Sequence, residues 1–126
     1  MSEEILKYTI NGSVAEVILS RPKQYNSFNS KLRQDLPELL DSLEESPDVR
    51  VVLITGSGPG FTAGADLNEN FPPPISEHLQ TEYKPIFDRI VSSRLLYVAA
   101  VHGSAAGIGA ALAMACDLMI MSETSK

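Results

Sequence analysis

The chain has 126 residues, 44% of them hydrophobic and 21% charged, which suffices for one globular core and is too short for two ordinary domains. The formal net charge of −6 argues against a nucleic-acid-binding protein, because that function needs a basic surface. An anionic ligand would need a local basic pocket on such an acidic chain.

Two features of the sequence bear on the compartment. Cys116 is the only cysteine, which excludes a disulfide within the chain and favours a reducing environment. The segment from Met1 to Glu4 has no basic patch followed by an apolar stretch, and no apolar run approaches the length of a membrane span. We therefore expect a soluble, cytoplasmic protein without a membrane partner.

The first predicted elements are a hairpin and a helix. Two β-rich runs, 5–10 and 14–19, flank Asn11-Gly12, a dipeptide favoured in tight turns. Leucines then recur at helical spacing, at positions 32, 36, 39, 40 and 43. We expect Ser30 to cap this helix, Pro37 to kink or shorten it and Pro47 to end it.

The second half of the chain alternates strands and helices. The run 51–55 is continuously apolar or β-branched, which is typical of a strand buried on both faces. A helix interrupted at Pro85 and capped by Ser76 should follow, with one apolar face formed by Leu79, Tyr83, Phe87, Ile90 and Val91. A strand over 97–101, a small-residue helix over 107–115 and a strand over 118–121 complete the ββαβαβαβ order, which predicts α/β layering.

Two glycine-rich turns are the most informative feature of the sequence. One runs from Phe61 to Leu67 and the other from His102 to Gly109, and each follows a predicted strand and leads toward a helix. Together they could present two backbone N–H groups to one anionic oxygen, which is the geometry of an oxyanion hole. The alternative is that these small residues serve only tight turns and helix packing.

Other kinds of site find little support. His78 and His102 lie far apart without ligands at metal-binding spacing, so we expect no metal. Cys116 has apolar neighbours and no adjacent positive charge, which favours a core residue over a nucleophile. Because no Ser/His/Asp system accompanies the turns, the predicted chemistry is enolate stabilisation and proton movement.

Five motifs in order resemble the enoyl-CoA hydratase/isomerase (crotonase) family across essentially the whole chain. They are 21–28 (RPKQYNSF), 52–56 (VLITG), 61–67 (FTAGADL), 99–103 (AAVHG) and 113–117 (AMACD). The resemblance implies a crotonase-like ββα superhelix of the ClpP/crotonase type, of which residues 1–126 would be the N-terminal part of a single domain, incomplete at the C-terminus. It also implies an acyl-CoA thioester as substrate, no separate cofactor, and a homo-oligomer, trimeric or hexameric at full length.

Carried over by position, the resemblance implies that the N–H groups of Ala65 and Ile108 form the oxyanion hole. It places Arg21 and Lys23 in a loop beside the phosphates and adenine of coenzyme A. The residues that it places along the substrate are Ser27, Phe61, Ala63, Gly64, Asp66, Leu67 and Gly107. Phe61 could equally be a core residue, and Asp66 could cap backbone N–H groups at a helix start.

The residues that depart from the family pattern narrow the choice among the reactions that the family catalyses. Hydratases of the family use two glutamates, and the first falls at Ala111, whose methyl group cannot act as an acid or base. The run 103–112 is similar to Δ3,Δ2-enoyl-CoA isomerases, which use one carboxylate, expected here beyond Lys126. Asn68 stands where a lysine is often found, and Leu96 where a proline is usual.

Three hypotheses follow from this pattern. The first is an enoyl-CoA isomerase of fatty-acid or related acyl-CoA catabolism. The second is an enoyl-CoA hydratase or another crotonase-type enzyme with its acid/base elsewhere. The third is a truncated, non-catalytic scaffold. For the isolated chain we expect uncovered apolar faces on the strands 51–55 and 97–101, and hence self-association.

Overall fold

The computed structural model describes residues 5–24, 26–58, 60–62, 75–103 and 108–121. The described elements follow the predicted ββαβαβαβ order, with one short 3-10 turn added at Pro22–Gln24. The strands are β1 (Leu6–Asn11), β2 (Val14–Leu19), β3 (Val51–Gly56), β4 (Leu96–Val101) and β5 (Leu118–Met121). The helices are α1 (Ser30–Glu45), α2 (Ile75–Ser92) and α3 (Ile108–Ala115).

The strands form one sheet in the order β1-β2-β3-β4-β5. β1 and β2 are the predicted antiparallel hairpin, in register from Leu6 opposite Leu19 to Asn11 opposite Val14. Gly12 in the turn has φ +65°, a conformation in which glycine carries no steric penalty. β2 to β5 run parallel to one another, so the loops that follow β2, β3 and β4 leave the same edge of the sheet.

The core lies between the sheet and the pair α1 and α2. Fully buried strand residues such as Val17, Ile54 and Tyr97 face the helices' apolar residues within one hydrophobic cluster. Phe28 and Tyr83 meet edge to face, with ring centroids 5.6 Å apart. Full burial of a large apolar side chain in this core stabilises the folded state by roughly 1.5–3 kcal/mol relative to leaving the side chain exposed.

The N-terminus and interior of α1 differ from the prediction. Asn29 is the N-cap, with its side chain accepting a hydrogen bond from the Leu32 N–H at 2.9 Å, and Ser30 is the first helical residue. The helix continues through Pro37. A proline in a helix costs about 3 kcal/mol, which the burial of several leucines outweighs. The predicted stop is confirmed, since Ser46 caps the helix just before Pro47.

The predicted face of α2 is partly wrong. The helix begins at Ile75, so Ser76 lies inside it and is not the cap, and it runs through Pro85 without a break. Tyr83 and Ile90 are buried, as expected, but Val91 is 73% exposed. Residues 90 and 91 project about 100° apart on a helix, so both cannot face the same core.

The strands are covered differently from expectation. β3 is not buried on both faces, because Val52 and Ile54 are buried whereas Leu53 is half-buried. β4 is an interior strand with four buried residues, so the expectation that its apolar face lies open is wrong. β5, the edge strand, is the strand on which all four side chains are apolar and exposed, by 40–63%. On β4 exposure is confined to its first residue, Leu96, at 40%.

Arg94 stabilises the amino edge of the sheet through hydrogen bonds. The Arg94 guanidinium donates to the backbone oxygens of Val49 (3.2 Å), Glu44 (2.7 Å) and Ser46 (2.9 Å), and the Glu44 carboxylate accepts from the Arg94 N–H at 3.1 Å. These contacts tie the start of β4 to the end of α1, at the edge opposite the one that the loops after β2, β3 and β4 leave. Within the described residues, every helix is too short or too polar for a membrane-spanning segment.

Candidate active site at the carboxyl edge of the sheet

Three loops meet at the carboxyl edge of the parallel strands. They follow β2 at Leu19, β3 at Gly56 and β4 at Val101. Open α/β sheets bind ligands at this edge, because the loops there can be shaped without disturbing the core. Both predicted glycine-rich turns begin here, on neighbouring strands.

The loop after β2 carries three of the predicted substrate-binding residues. The Arg21 guanidinium donates to the Ser27 backbone oxygen at 2.6 Å and to its hydroxyl at 3.2 Å, so these two predicted residues are brought together. Ser27 is 7% exposed, and its hydroxyl is engaged by Arg21. Lys23 lies in the 3-10 turn with its side chain exposed. Lys23 is thus the predicted cation that faces solvent, whereas Arg21 shapes the loop.

Asn26 lies at the centre of this edge and was missed from the sequence. It is fully buried and has φ +56°, a left-handed conformation that is uncommon for residues other than glycine and best tolerated by Asn and Asp. Its Oδ1 accepts from the Arg21 backbone N–H at 2.7 Å. Its Nδ2 lies 2.8, 2.9 and 3.1 Å from the carbonyl oxygens of Ser57, Gly60 and Phe61. Nothing in the sequence distinguished this asparagine from an ordinary turn residue.

The loop after β3 is held against the loop after β2. The Ser57 N–H donates to the Leu19 oxygen at 2.9 Å, and the Thr62 hydroxyl donates to the Asn26 backbone oxygen at 2.7 Å. Phe61 is fully buried within the hydrophobic cluster, so its packing matches the core alternative weighed for it above. The loop after β3 is therefore held in a fixed position as far as Thr62.

The loop after β4 also reaches the loop after β3. The His102 Nε2 donates to the Gly58 carbonyl oxygen at 2.9 Å. Gly58 has φ +78°, and a Cβ there would lie 2.6 Å from the Cβ of Pro22, so glycine is required both by conformation and by space. Through Gly58, loops from all three strands are in contact.

Only part of the predicted oxyanion hole falls within the described residues. Ile108 is the first residue of α3, where unpaired backbone N–H groups and the positive end of the helix dipole favour negative charge. Six predicted site residues lie outside the described residues: Ala63, Gly64, Ala65, Asp66, Leu67 and Gly107.

Cys116 lies among structural contacts. Burial, and secondarily the neighbouring Asp117 carboxylate, raise the pKa of the thiol to about 12, so it stays protonated at neutral pH. Asp117 accepts from the Tyr97 N–H at 2.8 Å and returns its own N–H to the Tyr97 oxygen at 2.9 Å. Asp117 therefore joins the segment between α3 and β5 to β4, whereas the Cys116 thiol donates to the Leu112 oxygen within α3 at 3.5 Å. The described residues contain no cluster of three metal-ligating side chains.

A groove of about 700 Å³ lies away from these loops, between β1 and α1. Lys7, Lys31 and Asp35 line it, and none of the predicted site residues does. Lys31 and Asp35 form an ion pair across one turn of α1, 2.5 Å apart. The groove is not the predicted substrate site.

Comparison with known proteins gives a consistent result. A family model described as enoyl-CoA hydratase/isomerase matches residues 9–126. The 1,2-epoxyphenylacetyl-CoA isomerase of Escherichia coli strain K12 is 35% identical over 132 residues, covering 100% of this chain and 50% of that protein. The crystal structure of an enoyl-CoA hydratase from Mycobacterium avium subsp. paratuberculosis K-10 is similar with a TM-score of 0.86 and 30% identity, covering 99% of this chain and 50% of that one.

A second solved structure supports the fold alone. The enoyl-CoA hydratase of Mycobacterium smegmatis is 22% identical, with a TM-score of 0.86 over 99% of this chain and 49% of its own. The predicted crotonase-like α/β fold is thereby confirmed for the part of the fold that the chain covers. The chain spans about half the length of the relatives it matches.

Proposed function

The chain belongs to the enoyl-CoA hydratase/isomerase family, a family of enzymes, and we propose that the complete protein shifts the double bond of an enoyl-CoA thioester. One observation carries the proposal: the loops after the neighbouring parallel strands β3 and β4 leave the same edge of the sheet. The family resemblance adds that Ala111 stands at the position of the hydratases' first glutamate. A site that stabilises an enolate but lacks that carboxylate favours isomerisation over addition of water.

In the proposed reaction the thioester oxygen accepts hydrogen bonds from the N–H groups of Ala65 and Ile108. Removal of a proton from C2 of a 3-enoyl-CoA places negative charge on that oxygen, where the two donors stabilise it. Return of the proton to C4 moves the double bond from C3–C4 to C2–C3. A carboxylate beyond residue 126 is proposed to carry the proton.

Substrate binding is proposed to use the loop after β2. Lys23 is exposed at this edge and would attract the phosphates of coenzyme A, which an acidic protein otherwise repels. Arg21 and Ser27 are bonded to each other, so their proposed role is to shape the loop that carries Lys23. Assembly of the complete protein as a trimer or hexamer, and a cytoplasmic location, remain predictions.

A hydratase is the second candidate, because the similar structure from Mycobacterium avium is an enoyl-CoA hydratase. The two candidates are separated by comparing substrates in the protein expressed from the complete reading frame. We expect a 3-enoyl-CoA to be isomerised much faster than a 2-enoyl-CoA is hydrated. Comparable rates would favour the hydratase, and no turnover of either would favour the non-catalytic scaffold.

An Ala111→Glu variant sharpens this comparison. If position 111 limits hydration, the added carboxylate should raise the hydration rate relative to isomerisation. Ala110→Glu in the same helix is the matched control, because it adds the same charge one position away. An equal effect of both variants would remove position 111 from the argument.

A further inference from the structure

The amide of Asn26 joins two loops that leave different strands. On one side its Oδ1 accepts from the Arg21 N–H in the loop after β2. On the other side its Nδ2 faces three carbonyl oxygens of the turn 57–62 after β3. The two ends of one planar group thus make opposite kinds of contact, acceptor to one loop and donor to the other.

The position demands an asparagine for two independent reasons. A φ of +56° restricts it to glycine or to a short polar residue. The three carbonyl oxygens present only acceptors, so the group facing them must donate, and the Nδ2 supplies two hydrogens to three oxygens. A carboxylate in the same place would turn a negative oxygen toward those carbonyls while keeping the acceptor for Arg21.

Gly56 packs against the Asn26 amide so closely that it leaves no room for a larger residue. A Cβ on Gly56 would lie 2.6 Å from the Asn26 Nδ2 and 2.7 Å from the Gly60 oxygen, so the amide and the turn fill the space beside the end of β3. The Thr62 hydroxyl then bonds to the Asn26 backbone oxygen at 2.7 Å. Side chain and backbone of one residue therefore hold both the beginning and the end of the turn 57–62.

We propose that Asn26 is a positioning residue of the enzyme, which acts through the turn 57–62 and touches no substrate. The inference rests on the proposed function, since Ala65, the proposed donor to the thioester oxygen, follows Thr62 by three positions in the sequence. Loss of the Nδ2 contacts lowers kcat, because even a small displacement of a catalytic hydrogen-bond donor slows the reaction. Binding of coenzyme A is retained, because the loop that carries Lys23 keeps its own contact through Oδ1.

The test is Asn26→Asp in the complete protein, with Asn29→Asp as the matched control. Both variants change an amide to a carboxylate within one segment, but the Asn29 side chain acts as an acceptor at the start of α1, a role in which Asp serves equally well. Hydrogen exchange of peptides covering 57–62 and 30–45 is measured together with kcat and the Kd of coenzyme A. If N26D fails to fold, Asn26→Gly replaces it, since glycine tolerates the φ and adds no charge.

For N26D we expect faster exchange in 57–62 alone, a fall in kcat on the order of 10-fold to 100-fold, and a Kd for coenzyme A within about threefold. N29D should match the wild type in all three measurements. Unchanged exchange in 57–62, or an equal rise in 30–45, would overturn the positioning role, as would an unchanged kcat in a folded N26D protein.

Failure of the proposed function is distinguishable from failure of this inference. A wild-type protein that turns over neither thioester removes the function, and the exchange comparison then decides by itself whether Asn26 positions the turn. If N26G replaces N26D, exchange and kcat are the deciding measurements, because glycine also removes the acceptor for Arg21.

Discussion

The side-chain amide of Asn26 fills the space that a methyl group on Gly56 would occupy. A Cβ built on Gly56 would lie 2.6 Å from the Nδ2 and would also collide with the backbone oxygens of Gly60 and Phe61. The φ of Gly56 is not positive, so glycine is required here by space. Gly12 presents the reverse case, with φ +65° and nothing within 4 Å of an added Cβ.

This contrast predicts opposite substitution series at the two glycines. At Gly56, alanine should lower the free energy of unfolding by about 1–3 kcal/mol, and asparagine by more, because the larger side chain collides more severely. At Gly12, asparagine should cost less than alanine, because it tolerates positive φ. Urea denaturation of the four variants measures both series, and the same ranking at both positions would contradict the argument.

The fold could be predicted to a large extent because it depends on periodicity. β2 and β5 have the predicted bounds, and the element order is confirmed. The predicted interruption at Pro85 and shortening at Pro37 are wrong, since both prolines lie inside continuous helices. Local propensity could not show that burial of the apolar faces would outweigh the cost of a proline.

The candidate site was less accessible to sequence reasoning. The glycine-rich turns and the loop with Arg21 and Lys23 stood out because glycine and charge are visible in the sequence. Asn26 did not, because its importance comes from contacts with residues 31 to 35 positions away, which form only after β2 and β3 pair. Ser27 had been expected to face the substrate, yet its hydroxyl is taken by Arg21.

Arg94 should stabilise the end of the fold opposite the candidate site. Its guanidinium satisfies three backbone oxygens at the end of α1 and in the loop that follows. Arg94→Ala should lower the free energy of unfolding by about 1.5–3 kcal/mol, as expected for loss of charged hydrogen bonds. Arg50→Ala, at an exposed position nearby, is the control and should stay within about 0.5 kcal/mol of the wild type. Equal losses in thermal or urea unfolding would contradict this role.

Stability should fall in alkaline solution through Cys116 and Tyr97. Burial raises the pKa of the Cys116 thiol from 9.0 to about 12 and the pKa of the Tyr97 hydroxyl from 10.0 to about 12. Between the ordinary pKa of each group and its raised pKa in the folded protein, the folded protein keeps a proton that the unfolded chain releases. The free energy of unfolding therefore decreases as pH rises through that range. Cys116→Ala should flatten the decrease from pH 9.0 upward and Tyr97→Phe that from pH 10.0. Urea unfolding across this range provides the test, and a stability that rises with pH would refute it.

The proposed oxyanion hole predicts a specific effect of proline at position 65. Ala65→Pro removes one backbone N–H, which in the complete protein should lower turnover on the order of 10²-fold to 10³-fold. Ala65→Gly keeps the N–H and is the matched control for loss of the side chain. Circular dichroism must show that both variants fold. A folded proline variant with wild-type turnover would exclude Ala65 as a donor.

The last prediction concerns residues 1–126 expressed alone, and it rests on β5. Among the described strands β5 pairs only with β4, and its four residues from Leu118 to Met121 are uncharged, apolar and exposed. An unprotected apolar edge strand promotes pairing with a second chain, whereas the opposite edge, β1, carries a lysine that opposes it. We expect sedimentation velocity to show association that increases with protein concentration.

Ile120→Lys should reduce this association, because a charge would have to be buried between the paired edges. Val91→Lys is the control, since Val91 is 73% exposed on a helix and offers no strand edge. A monomer at all concentrations, or an equal effect of both lysines, would show that β5 does not drive association.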